Sequence, residues 1–245
     1  MANDAKSVIK SLKVIADKDR AISTARYFKT GKGEYGEGDV FIGVTVPQGR
    51  IVAKEYRELP IEEVLILLRS KVHEHRSVSL YILCDQYSRY PKRQKEIFDI
   101  YLQHTEYVNN WDLVDTSARD IVGHYVWNHL SDAKRKLFLS KLAKSKILWE
   151  RRIAIVSTHY GILRDDLSET FFVSELLLSD THDLMHKAVG WMLREAGKRD
   201  KKALVVFLNR YAGIMPRTTL RYSIEHFGLV ERLKYMKMKA GIKRD

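Results

Sequence analysis

Apolar side chains recur at three- and four-residue spacing along nearly the whole chain, as in Val64, Leu65, Leu67 and Leu68, in Ile97, Phe98, Tyr101 and Leu102, and in Leu204, Phe207, Leu208 and Tyr211. That spacing gathers apolar groups on one face of an α-helix, whereas a strand would divide them between two faces, so it predicts a predominantly helical chain. The prolines agree. There are only four, and Pro60, Pro91 and Pro216 each stand where a helix would begin, the position that tolerates a missing N–H best. With 245 residues, 45% of them hydrophobic, the chain can bury a sizeable core.

A faint longer period runs through these helices. Those expected to start near Val72, Asn110, Leu148, Leu184 and Pro216 each follow a partner helix, and the starts lie 32 to 38 residues apart. This is the spacing of a helical-repeat solenoid, in which pairs stack and one helix of each lines a concave wall. A generic helical bundle could give similar registry by chance. Arg76 and Arg152 lie 76 residues apart, Asp115 falls within one residue of their midpoint, and Lys187 follows Arg152 by 35. Trp111, Asp115, Arg152, Lys187 and Trp191 are therefore expected to share one wall. The domain expected is a single one over 1–230, with a glycine-rich loop at 31–49 and a basic tail at 231–245.

That loop holds six of the thirteen glycines and a formal G-x-G-x-x-G match, Gly31-Lys32-Gly33-Glu34-Tyr35-Gly36. The motif binds dinucleotides only between a strand and a helix, and the preceding Ala25-Arg26-Tyr27-Phe28-Lys29-Thr30 reads as the end of a helix. An ordered loop is the better expectation, from which Lys29 and Lys32 could reach a phosphate backbone.

Lysine and arginine total 43 against 31 acids, a net charge of +12, and nine of those twelve charges fall between Trp191 and Asp245. An electropositive end suits a polyanion such as nucleic acid, although a merely soluble basic protein could share it. Cys84 is the only cysteine, which excludes an intrachain disulfide and a multi-cysteine zinc site. The N-terminal Met-Ala-Asn-Asp-Ala-Lys-Ser has no apolar signal core, and no apolar run approaches the roughly 18 residues of a membrane span. The expectation is a cytoplasmic monomer without a membrane partner, nucleoid-associated if bacterial.

Trp111 and Asp115 are four residues apart, so a helix places an indole and a carboxylate on one side. A flat ring beside an anion suits a cationic ligand or transition state; the same pair would also serve as core packing with a carboxylate at its edge. Other constellations are weaker. His73-Glu74-His75 and His182/His186 have spacings a metal could use, but no third ligand pattern accompanies them, and surface histidines are expected instead. Trp127 and Trp149 lie among apolar neighbours and read as packing residues. Ser117, Ser157 and Ser223 lack a nucleophile-elbow context.

Across about residues 20 to 230 the chain resembles the AlkD family of DNA alkylation repair glycosylases. The likeness rests on Tyr27-Phe28-Lys29-Thr30-Gly31 with Tyr35-Gly36-Glu37-Gly38-Asp39, on Asn110-Trp111-Asp112-Leu113-Val114-Asp115, on Trp149-Glu150-Arg151-Arg152, and on Lys187 through Glu195. The resemblance implies an all-α solenoid of HEAT-like repeats with a concave, basic DNA-binding face. It implies a monofunctional glycosylase that removes cationic alkylpurines, of the N3-methyladenine and N7-methylguanine types, from double-stranded DNA. By position Asp115 matches the family's catalytic carboxylate, Trp111 and Trp191 its two tryptophans and Arg152 its arginine; Arg151 is adjacent, and the repeat registry favours Arg152. No cofactor or metal is implied. Arg76, Lys187, Arg194, Lys198, Arg199, Lys201, Lys202, Arg217 and Arg221 join Lys29 and Lys32 as phosphate-binding candidates, about half of them expected only to face solvent.

The alternative is a non-catalytic helical-repeat module that binds DNA or a protein. Asp115 and the two tryptophans, Trp111 and Trp191, separate the two, because a pure binder has no use for a carboxylate facing phosphates.

Overall fold

A computed structural model describes residues 3–238 of the chain. It is all-helical, with 71% of residues in helix and, among the described residues, no strand. Packing divides it between Ile121 and Val122 into two compact units, where the sequence suggests one domain. The first unit contains α1 (Ala5–Val14), α2 (Lys18–Tyr27), α3 (Val46–Glu55), α4 (Ile61–Leu68), α5 (His73–Arg89), α6 (Gln94–Gln103) and α7 (Trp111–Ser117). A π-helical turn, Arg119–Gly123, leads on to α8 (His124–His129), α9 (Asp132–Ala143), α10 (Leu148–Ser157), α11 (His159–Ile162), α12 (Ser168–Leu176), α13 (Asp183–Arg199), α14 (Lys201–Tyr211), α15 (Arg217–Ser223) and α16 (Leu229–Lys237).

Helix starts follow local chemistry. Asp4, Asp17, Asn110 and Asp200 cap α1, α2, α7 and α14 with side-chain oxygens, and Thr45 with Gln48 forms a reciprocal capping box on α3. Pro60 and Pro216 immediately precede α4 and α15. The starts expected near Val72, Asn110, Leu148, Leu184 and Pro216 appear as α5, α7, α10, α13 and α15, each within one residue.

Packing inside each unit has the layering of a helical repeat. Second helices of successive pairs pack on one another, α5 on α7 in the first unit and α10 on α13 on α15 in the second; α4 covers α5, α9 covers α10 and α12 covers α13. Leu67, Leu80, Leu83, Tyr101 and Val114 fill the core of the first unit, and Leu139, Ile153, Met185, Leu193 and Leu208 that of the second. Trp149 is buried as a packing residue.

The glycine-rich segment is an ordered loop, as expected, but it ends at Thr45; Gly49 lies inside α3. No strand leads into it, since α2 ends at Tyr27, and the N–H groups of Gly31 and Gly33 are already held by Glu34 and Glu37 carboxylates at 2.9 and 2.8 Å. Those amides are not a vacant phosphate cradle. The basic tail is described as far as Met238, with Lys234 and Lys237 in α16, while Lys239, Lys243 and Arg244 lie outside the described residues.

Gly190 permits the close approach of α13 and α15. A Cβ there would stand 2.5 Å from the Tyr222 Cβ and 2.7 Å from the Thr219 carbonyl oxygen. Helix propensity alone would make Gly190→Ala stabilising by about 1 kcal/mol, but backbone cannot yield to such a contact as a flexible side chain can. The expected outcome is a net loss on the order of 2 kcal/mol in denaturant unfolding, and a raised midpoint at unchanged slope would contradict it.

Candidate active site

The geometry of the first unit is set by a buried polar relay at the start of α7. Asn110, wholly buried, accepts from the Trp111 amide through Oδ1 at 2.8 Å and donates from Nδ2 to Asp39 at 3.2 Å. The Asp39 carboxylate, 6% exposed, also receives the Arg76 guanidinium at 2.6 Å and His73 Nδ1 at 3.1 Å. His73 Nε2 in turn lies 2.8 Å from Asp112 Oδ2. Both imidazole nitrogens face carboxylate oxygens, so both must carry protons to donate. Burial, the largest influence, works against that charge and so does Arg76, yet the Asp112 and Asp39 carboxylates prevail and raise the His73 pKa to about 9. Burial would likewise raise the Asp39 carboxyl, but His73, Arg76 and Asn110 together hold it below its ordinary value.

The His73-Glu74-His75 run, expected on a helix surface, is buried throughout. Glu74 accepts from the amides of Ile42, Gly43 and Val44 at 2.8–3.3 Å and pins the end of the glycine-rich loop to α5. Gly43 has φ +79°, and a Cβ there would come within 2.0 Å of the Asp17 carbonyl oxygen, so only glycine fits. His75 is pulled down to about 4 by burial and then by Arg76, and its neutral ring pairs with Ser70 Oγ at 3.0 Å.

On this base sits Trp111. Its ring stacks on Phe28 at 5.1 Å with planes 7° apart, and the Tyr27 ring meets it edge-on at 6.1 Å. Phe28 continues to Phe41 at 5.0 Å, which stacks on His73 at 4.5 Å. Asp115 follows Trp111 by one helical turn on the same face, and both are partly exposed. The first unit therefore brings together an indole and a carboxylate at its surface, not in its core.

The second unit carries the other expected residues. Arg152 on α10 is 4% exposed, and its Nη1 donates to the Leu184 carbonyl of α13 at 2.6 Å. Lys187, Trp191, Arg194 and Lys198 follow one another at helical spacing along a face of α13. Trp191 is partly exposed and leans on His159 at 5.8 Å. Arg151, the neighbour of Arg152, is committed to Asp180 at 2.6 Å and to the carbonyls of Ser145 and Lys146.

The phosphate-binding candidates sort into different settings. Arg76 is corrected: it is 3% exposed and its guanidinium spans Asp39 and the Ser70 carbonyl, so it anchors the relay and presents no surface to a phosphate. Lys29, at φ 51°, and Lys32 are exposed on the loop. Lys187, Arg194 and Arg221 border an open trough of about 720 Å³ together with Thr218, Tyr222 and Glu225. Several cations are paired with acids: Lys187 with Asp183, Arg194 with Glu195 and Glu225, Lys198 with Glu195, Arg199 with Asp165, and Lys201 with Glu231. Lys202 is exposed on α14, and Arg217 donates to the Met236 carbonyl. Sequence reasoning missed Asp39, His73 and Asp112; the unusual polar run at the start of α5 was their only local signal.

The sequence matches the family described as DNA alkylation repair enzyme over residues 8–227. Among solved structures, the chain is similar to one described as a predicted DNA alkylation repair enzyme from Enterococcus faecalis, with a TM-score of 0.65 at 16% identity, covering 87% of this chain and 97% of that one. Likeness at that identity concerns the fold. No curated protein matches the chain.

The relay gives stability a defined pH dependence. A histidine raised from 6.5 to about 9 contributes fully below pH 6.5 and loses its contribution as pH rises through 9, on the order of 3 kcal/mol. Asp39, held low, contributes above its ordinary range and loses that as pH falls. Thermal melts should therefore show stability declining from pH 6.5 to 9, with the decline largely absent in His73→Gln; equal slopes in both proteins would remove the charged imidazole from the account.

Proposed function

The chain belongs to the DNA alkylation repair enzyme family, and from that premise we propose that it is a monofunctional DNA glycosylase. It hydrolyses the N-glycosidic bond of cationic alkylpurines, of the N3-methyladenine and N7-methylguanine types, in duplex DNA, opening base excision repair. The observation that carries this reading is the Trp111–Asp115 pair on α7, a helix whose first turn is held by the relay from Asp39 through His73 to Asp112.

As the bond between C1′ and the base nitrogen breaks, positive charge develops on the deoxyribose, and the electron pair of the bond neutralises the departing cationic base. Asp115 supplies the opposite charge, stabilising the oxocarbenium-like sugar and orienting or deprotonating the water that adds to C1′. Because the base leaves already alkylated and cationic, no dedicated general acid is required. Trp111 attracts a neighbouring cation through its ring quadrupole, worth about 0.5–2 kcal/mol, and keeps water from the face it covers.

In the second unit, Trp191 is proposed to offer its partly exposed indole to DNA, with Arg152, buried against the Leu184 carbonyl, positioning the helix that carries it. Basic contacts to DNA are proposed from Lys187, Arg194 and Arg221 in the second unit and, separately, from Lys29 and Lys32 on the loop of the first. Exposed ion pairs are worth no more than about 1 kcal/mol, so the acids beside these cations do not prevent exchange for phosphates.

Asp115→Asn should bind methylated duplex DNA within about threefold of the parent while releasing methylated purines at least ~100-fold more slowly in single-turnover assays. Equal release rates would refute the assignment. Lys187→Ala should weaken binding and lower the slope of log K against log salt by about one, and an unchanged slope would argue against a phosphate contact at this exposed lysine.

A further inference from the structure

The open trough of about 720 Å³ in the second unit lies between α13 and α15, and its lining combines charge with an aromatic ring. Asp183, Lys187 and Arg194 come from α13, Thr218, Arg221 and Tyr222 from α15, and Glu225 from the turn that follows. Both acids are engaged with cations of the same lining, Asp183 with Lys187 at 2.7 Å and Glu225 with Arg194. Arg221 is exposed and donates to the Thr218 hydroxyl at 3.4 Å, with no acidic partner among the described residues. The lining therefore keeps an excess of positive charge.

Tyr222 distinguishes this trough from a plain cationic surface. Elsewhere in the unit Tyr160 lies against His124, Tyr211 against Phe207 and Tyr235 against Phe227. Tyr222 lines the trough 36% exposed, and among the described residues neither a second ring nor a hydrogen-bond partner for its hydroxyl engages it. Its Cβ rests on Gly190 of α13, where even an added methyl group would stand 2.5 Å away, so the root of the side chain is fixed at the helix crossing. A tyrosine has few torsions to order, and one held at its root can stack on a planar partner at little entropic cost.

Within a duplex each base is covered on both faces by its neighbours, so a protein ring finds no face to stack on unless a base is unpaired. A nucleotide of single-stranded DNA presents a bare ring face beside a phosphate, the two groups that Tyr222 and its neighbour Arg221 are suited to hold. We propose that this trough binds a single-stranded stretch of DNA, with one base stacked on the Tyr222 ring and the flanking phosphates on Arg221, Lys187 and Arg194. The last two exchange exposed carboxylate partners for phosphates. The proposal rests on the reading of these cations as DNA contacts and specifies the state of the strand they take.

Fluorescence anisotropy with the full chain tests it on labelled oligo(dT) of about 12 nucleotides, an oligomer of equal length made of abasic sites, and the matching duplex. The parent protein should bind oligo(dT) about tenfold more tightly than the abasic oligomer, which offers the same phosphates without bases. Tyr222→Ala should lose that preference while its duplex affinity stays within about twofold of parental, and Tyr222→Phe, which keeps the ring, should retain it. Equal affinity of the parent for oligo(dT) and the abasic oligomer, an undiminished preference in Tyr222→Ala, or an equal loss on oligo(dT) and duplex would overturn the proposal. Duplex binding by the parent without the base-dependent gain would defeat the stacking site and leave the DNA-binding reading standing, whereas failure to bind any of these DNAs would defeat both.

Discussion

Two carboxylates and two cations, all buried but the partly exposed Asp112, meet where the glycine-rich loop joins the starts of α5 and α7 and hold the first unit in its shape. Asp39 comes from the loop, His73 and Arg76 from α5 and Asp112 from α7. Each charge would be expensive in the interior alone, and each is made tolerable by the other three. Removing one member of such a set strands its partners, which typically costs about 3–5 kcal/mol, so the set acts as a single clasp on three segments. Because Asn110 caps α7 and also donates to Asp39, the clasp determines where Trp111 begins its helix and, one turn later, where Asp115 stands.

This arrangement suits electrostatic catalysis. A carboxylate that stabilises a transient cation is effective when it is already positioned and need not reorganise during the reaction. Phe28, stacked on the indole, continues the same framework into the aromatic series that ends on His73. In the second unit, close approach at Gly190 fixes α13 against α15, and the Arg152 bond to Leu184 ties α10 to the helix that carries Lys187 and Trp191.

Much of the fold was legible because helix periodicity and capping are local. The spacing of apolar residues and proline placement located helix starts to within a residue, and the Trp111/Asp115 pair followed from position alone. What was not legible depended on partners distant in sequence. His73, Glu74 and Arg76 have side chains that ordinarily face water, and their burial becomes understandable only once Asp39 and the amides of Ile42 to Val44 are in place some thirty residues away. Gly49 was read as loop because glycine marks turns, whereas in α3 it lies against Val78 and Tyr81. The basic strip, counted as net charge, is interleaved with acids that composition cannot locate, Glu225 and Glu231 among them.

Nitrogen-15 NMR of the histidine side chains tests the clasp most directly, since protonated and neutral imidazole nitrogens have distinct chemical shifts. At pH 7.5 His73 should report protons on both Nδ1 and Nε2 and should titrate near pH 9. A single-proton tautomer at pH 7.5, titrating near the ordinary histidine value, would contradict the charged relay on which the placement of Trp111 and Asp115 depends.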